Sequence, residues 1–174
     1  FFAGLFMVGK TSIVDAPITA RTNGRDAEYG RAFVDTLTDK ELAFLVLHEN
    51  MHKCYRHLTT WRALYEANHR KANHACDYVI NVQLVDMDPS ENFIAMPRDK
   101  QTHKRLGLYD EKYRGMDAKQ VWDLLDDEDS GDGGGSGGDE QTDGESESSG
   151  SGLDEHDWEG AQQMNAQEQK ELAQ

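Results

Sequence analysis

The sequence is short of cysteine, of long apolar runs and, over its last third, of basic residues. Two cysteines, Cys54 and Cys76, do not make a disulfide framework, so a reducing, cytoplasmic setting is expected. No apolar run approaches the ~20 residues that a membrane span needs, and no membrane partner is expected. The apolar stretch over residues 1–8 is short and has no charged segment before it, so it reads as the start of a core element rather than a signal peptide.

The scarcity of basic residues is local. Through Leu125 the chain carries 17 Lys+Arg and 17 Asp+Glu. Beyond it, 16 acidic residues stand against Lys170 alone, so the whole net charge of -15 belongs to the tail. A neutral domain has no electrostatic footprint for nucleic acid, which is not expected as a partner. Residues 1–125 read as one globular domain and residues 126–152 as a disordered linker of Asp, Glu, Gly and Ser. Residues 153–174 read as a short segment that can turn helical from about Trp158. The tail as a whole is expected to be dispensable for folding, and its charge suits a basic protein partner.

Residues 11–36 carry short β-prone runs: Ser12-Ile13-Val14, then residues 18–22 ending at the Asn23-Gly24 turn pair, then Ala32-Phe33-Val34. The second run reads equally as an ordinary sheet strand or as an edge that pairs with an extended peptide. The period then changes to that of a helix. Thr38 and Glu41 form a capping box, with Leu37 and Leu42 as its hydrophobic staple, and open a helix expected over residues 39–57. A short helical stretch over residues 61–66 follows, and then a second long helix from about Arg70 to Val85, stopped before Pro89. Residues 90–116 look irregular. A last short helix over residues 117–125 offers Val121, Trp122, Leu124 and Leu125 as its buried face. Strands first and helices after make this an α+β chain.

Inside the first long helix stands His48-Glu49-Asn50-Met51-His52, an H-E-x-x-H motif. Residues i and i+4 share a helix face, so two imidazoles can hold one metal ion there. Glu49 sits too far round the helix to be a third ligand, but it can accept a proton from a water on the ion. The apolar run before the motif, residues 42–47, argues against a solvated face. Zinc, with three protein ligands and an open position, suits mixed imidazole and carboxylate ligation.

For the third ligand the downstream candidates are His57, Glu66, His69, Asn73, His74, Asp77 and Asn81. Asp77 stands in an apolar stretch of the second long helix, where a carboxylate needs a partner. That partner is a metal or an arginine such as Arg70. His74 is the competing ligand, and Asn81, four residues past Asp77, suits a bond to a ligand imidazole. Tyr55, Tyr78, His69 and His74 are candidates for stabilising an oxyanion. Cys54 and Cys76 read as core thiols and His156 as a solvated residue.

The pairing of His48-Glu49-x-x-His52 with Ala75-Cys76-Asp77-Tyr78-Val79-Ile80-Asn81 resembles a family of motif-assigned zinc metallopeptidases. That family occurs as the N-terminal half of VWA-like bacterial proteins and as stand-alone phage proteins. Thr22-Asn23-Gly24 and Asp154-Glu155-His156-Asp157-Trp158 belong to the same likeness, which spans nearly the whole chain. The resemblance implies a zincin-like α+β fold, with a small mixed sheet on an active-site helix and a second long helix. It implies His48, His52 and Asp77 as zinc ligands, Glu49 as general base, and peptide or protein substrates. A non-catalytic, metal-stabilised binding or regulatory protein that uses its acidic tail is the alternative.

Overall fold

The computed structural model describes residues 8–126, 155–157 and 161, and there the chain is mixed α+β. Three short strands come first: β1 (Thr11–Val14), β2 (Ala20–Thr22) and β3 (Ala27–Gly30). The helices are α1 (Arg31–Val34), α2 (Asp39–Tyr55), α3 (His57–Thr60), α4 (Arg62–Ala67), α5 (His69–Met87) and, after a 3-10 turn at Glu111–Tyr113, α6 (Ala118–Leu124). A final strand, β4 (Glu155–His156), returns to the sheet. None of these helices is long and apolar enough to cross a membrane. The opening run through residue 7, most of the acidic linker and the helix expected from Trp158, apart from Ala161, lie outside the described residues.

The sheet has the order β1-β3-β2-β4 and is mixed: β3 is parallel to β1 and antiparallel to β2, and β4 is parallel to β2. The β2–β3 connection uses the Asn23-Gly24 pair as its sequence suggests. Asn23 Oδ1 accepts the amides of Arg25 and Asp26 at 2.9 and 2.7 Å, and Gly24 takes φ +86°. The third strand is not the expected Ala32-Phe33-Val34. It is Ala27–Gly30, and the later triplet is helical. Gly30 marks the exit from the sheet, because a Cβ there would lie 1.8 Å from the Ile18 carbonyl oxygen. Phe33 and Val34 then pack with Leu37 and Val46 around buried Ala20, Ala27, Tyr29 and Leu45. Tertiary packing overrides their β propensity.

Both lateral sides of β2 are occupied, by β3 and by β4, with Arg21 opposite Glu155 and Thr22 opposite His156. The edge that an extended peptide would need is thus filled by the chain itself. Asp157 donates its amide to the Thr22 carbonyl at 2.9 Å, and Ala161 is buried with Leu58 and Ala72. Residues 155–157 and Ala161 therefore pack on the domain, which bears on the expectation that the tail is dispensable for folding.

Helix α2 begins with the predicted capping box, and its glutamate does more than cap. The Thr38 amide and hydroxyl both donate to Glu41 Oε2 at 2.8 Å. The Arg98 amide donates to Oε1 at 3.1 Å and Lys100 Nζ to Oε2 at 2.8 Å. Glu41 thereby ties the helix start to the segment closed by the Arg98–Arg105 bridge. Burial alone would raise its pKa, but these donors outweigh that and bring it to about 2. At its other end α2 stops at Tyr55, short of residue 57, because Arg56 turns left-handed at φ 52°.

Helices α2 and α5 pack against each other between apolar clusters. Phe44, Met51, Ile80 and Leu84 lie in one cluster with Ile94 and Met96. Ala75, Cys76, Tyr78 and Val79 lie in another with Tyr113, Ala118, Val121 and Leu125. In α6 the buried face excludes Leu124, which is 57% exposed.

Two consequences are measurable. A carboxyl held at about 2 when folded, against 4.5 for a free glutamate, adds stability that is complete above 4.5. That contribution is lost as the pH falls through about 2. Glu41→Gln should cost about 1–2 kcal/mol in urea unfolding at neutral pH. Its deficit against the parent should shrink below pH 4.5, and a pH-independent deficit would count against the charge. Ala161→Glu, which puts a charge among Leu58 and Ala72, should destabilise the domain by about 2–4 kcal/mol. An unchanged melting temperature would mean that this segment is detached in solution.

Candidate metal centre

The i, i+4 spacing on α2 brings His48 and His52 together as expected, with 3.1 Å between their Nε2 atoms. Asp77 enters from α5, and its Oδ1 lies 3.7 Å from His48 Nε2 and 3.5 Å from His52 Nε2. One ligand atom from each of the three residues falls within 4.8 Å of the others. Two imidazole nitrogens and a carboxylate oxygen are a donor set that zinc and other first-row divalent ions accept. The set fits a metal ion. All three side chains have 0% exposure, as does Glu49.

Around this set is a layer of hydrogen bonds. His48 Nδ1 faces Asn81 Oδ1 at 2.9 Å, and Asn81 Nδ2 donates to the Leu108 carbonyl at 2.8 Å. A carbonyl only accepts, so the amide NH2 must face Leu108 and the amide oxygen must face the ring. His48 therefore carries its proton on Nδ1 and presents a lone pair on Nε2 toward the other two residues. On the far side of His52, Nδ1 lies 3.2 Å from His57 Nδ1.

The remaining candidates are elsewhere. Glu66 and His69 are exposed and His74 is half-buried, and none of them joins the cluster. The Tyr55 hydroxyl donates to Gln83 Oε1, and Tyr78 packs on Tyr113 with ring centroids 4.7 Å apart. Cys54 and Cys76 are both thiols, with Cys76 in the core and burial raising the Cys54 pKa.

The sequence reading passed over Lys53, which is only 1% exposed. Burial pushes its ammonium below the usual lysine range, while the carboxylates of Glu49 and Asp26 oppose that shift. Its Nζ donates to the Val8 carbonyl at 3.5 Å. Its spacing of four from Glu49 was the available signal, since i, i+4 residues meet on a helix.

A family model described as "Putative metallopeptidase domain" matches residues 1–173. The chain belongs to this metallopeptidase-domain family. No curated protein and no solved structure matches it. Membership in the metallopeptidase-domain family and a buried His-His-Asp cluster that could hold an ion both fit a metal-dependent protease.

Asn81 bridges α5 to both His48 and Leu108. Asn81→Leu keeps the volume but leaves a buried donor and a buried acceptor unmatched. It should cost about 2–4 kcal/mol in urea unfolding. A cost under about 0.5 kcal/mol would show that the bridge is not made in solution.

Proposed function

We propose that the protein is a zinc-dependent metallopeptidase of zincin-like architecture. His48, His52 and Asp77 hold the ion and Glu49 is the general base. The observation that carries this reading is the buried convergence of two imidazoles and a carboxylate from two helices. Glu49 adjoins the first histidine on the same helix.

A bound zinc ion would act as a Lewis acid toward a peptide carbonyl and toward water. The rest is done by the chain. Glu49 accepts the proton of the attacking water and delivers it to the leaving amine. The low-dielectric surroundings strengthen every charge interaction that it makes. Asn81 holds the His48 ring so that Nε2 points inward. The substrates are peptides or proteins, and the two thiols fit a reducing, cytoplasmic setting.

The complete burial of His48, His52 and Asp77 favours a second reading. In it the ion stabilises a binding or regulatory protein that cleaves nothing, and the acidic tail engages a basic partner.

One set of measurements separates the two. In the peptidase reading, Glu49→Gln retains metal by elemental analysis and loses about 10²–10⁴-fold in proteolytic rate. Asp77→Ala loses metal far more than His74→Ala does. If the parent and Glu49→Gln both hold metal and neither cleaves unfolded protein, the second reading stands. If His48→Ala or His52→Ala leaves the metal content unchanged, the site itself is misassigned.

A further inference from the structure

His57 lies one residue beyond the turn that ends α2, and nothing in the H-E-x-x-H motif assigns it a role. The turn is what brings it back. Arg56 takes φ 52° and its amide donates to the carbonyls of His52 and Lys53. The chain doubles onto the helix end and α3 begins at His57 itself. The His57 side chain is 3% exposed, and its ring stands at 77° to that of His52 with centroids 5.2 Å apart. The Tyr55 ring stacks on that of His57 with centroids 5.3 Å apart.

The contact between the two Nδ1 atoms, at 3.2 Å, allows one proton between them. Which ring carries it depends on the other end of His52. Asn81 leaves His48 Nε2 as a lone pair, and His52 Nε2 lies 3.1 Å from it. With both rings neutral and no ion, two lone pairs at that distance repel, so the His52 proton sits on Nε2. Its Nδ1 is then an acceptor, and His57 Nδ1–H donates to it. With an ion, His52 Nε2 must be bare. The His52 proton then sits on Nδ1 and donates to His57 Nδ1, and the His57 proton sits on Nε2.

We propose that His57 is the positioning residue for His52 and that the hydrogen bond between them reverses direction when metal binds. The inference rests on the metal reading given above. Protons balance across the change. His52 gives up its Nε2 proton to water and takes the one that His57 held on Nδ1, and His57 gains one on Nε2 from water. The neutral count of two ring protons is the same before and after. A residue with a fixed donor or a fixed acceptor would favour only one of the two states. An imidazole serves both, as would a carboxamide, which has one of each.

The test uses the full chain with zinc as probe. Zinc affinity by chelator competition should fall about 10–100-fold in His57→Phe, which keeps an aromatic ring but has no hydrogen-bonding atom. His57→Gln should restore it to within a few-fold of the parent. Equal affinity in the parent and His57→Phe would overturn the proposal, and so would a His57→Gln variant as weak as His57→Phe. If the substitutions prevent folding, nitrogen NMR of the histidine rings in the unaltered protein decides. The His57 proton should move from Nδ1 to Nε2 as zinc is added, and unchanged His57 nitrogens in a zinc-loaded protein would overturn it. Failure of the metal reading is distinct, because the unaltered protein would then take up no zinc.

Discussion

The apposition of α2 and α5 is the constraint on which the rest of the domain depends. It brings two imidazoles and a carboxylate into a space with no exposure. Polar groups taken out of water cost several kcal/mol each unless something replaces the lost hydration. The two helices can meet there only if the donors face one another and the space around them is sealed. Apolar residues do the sealing. Phe44, Met51, Ile80 and Leu84 close one side, and the cluster of α5 with α6 closes another. Leu45 binds the same helix to the sheet. A core split into several clusters around a polar layer is the outcome, in place of one continuous apolar interior.

Much of this was legible in sequence, because its signals are local. The i, i+4 spacings of His48 with His52 and of Asp77 with Asn81 depend only on helix periodicity. The capping box at Thr38 and the Asn23-Gly24 turn depend on side chains that bond their own neighbouring backbone. What was not legible involves long separations or one left-handed residue. Glu41 looks like a capping residue and nothing more, since its bonds to Arg98 and Lys100 span 57 and 59 positions. A helix carried unbroken through residue 57 would turn His57, five positions past His52, onto another face. One change of sign in φ at Arg56 sends it back to His52. The Ala32-Phe33-Val34 triplet has strand residues in a helix because its apolar faces are needed under Leu45 and Val46, not in a ladder.

The return of the chain at β4 bears on how anything reaches the centre. Register along α2 follows from its neighbours. Ala20 packs at Leu45, while Arg25 and Asp26, after the end of β2, act on Lys53. Strand β2 therefore runs beside α2 in the same direction. The outer side of that strand is where β4 pairs. A few residues later, Ala161 is buried at Leu58 and Ala72, beside the start of α3 and in the first turns of α5. The sheet offers its other lateral edge at β1, whose residues Thr11 to Ile13 are exposed. That edge lies two strands away from β2, the strand whose Ala20 packs with Leu45 of α2.

Burial would also couple an ion held there to the stability of the fold. A preformed donor set does not survive unfolding, so an ion that binds only the native state stabilises it by mass action. The gain is about 4 kcal/mol at a thousand times the dissociation constant. That is a large share of the ~5–15 kcal/mol that holds a domain together. In the proposed metal site this coupling would belong to His48, His52 and Asp77 and to Asn81 behind them, and it would be the same whether the domain cleaves peptides or only binds. Glu49 is different. A carboxylate with no exposure beside a buried lysine gains nothing from solvent, and leucine at that position would fill similar volume without the desolvation. Under the proposed peptidase reading this buried carboxylate beside His48 serves as the proton acceptor, a task that a purely structural metal site would not set it.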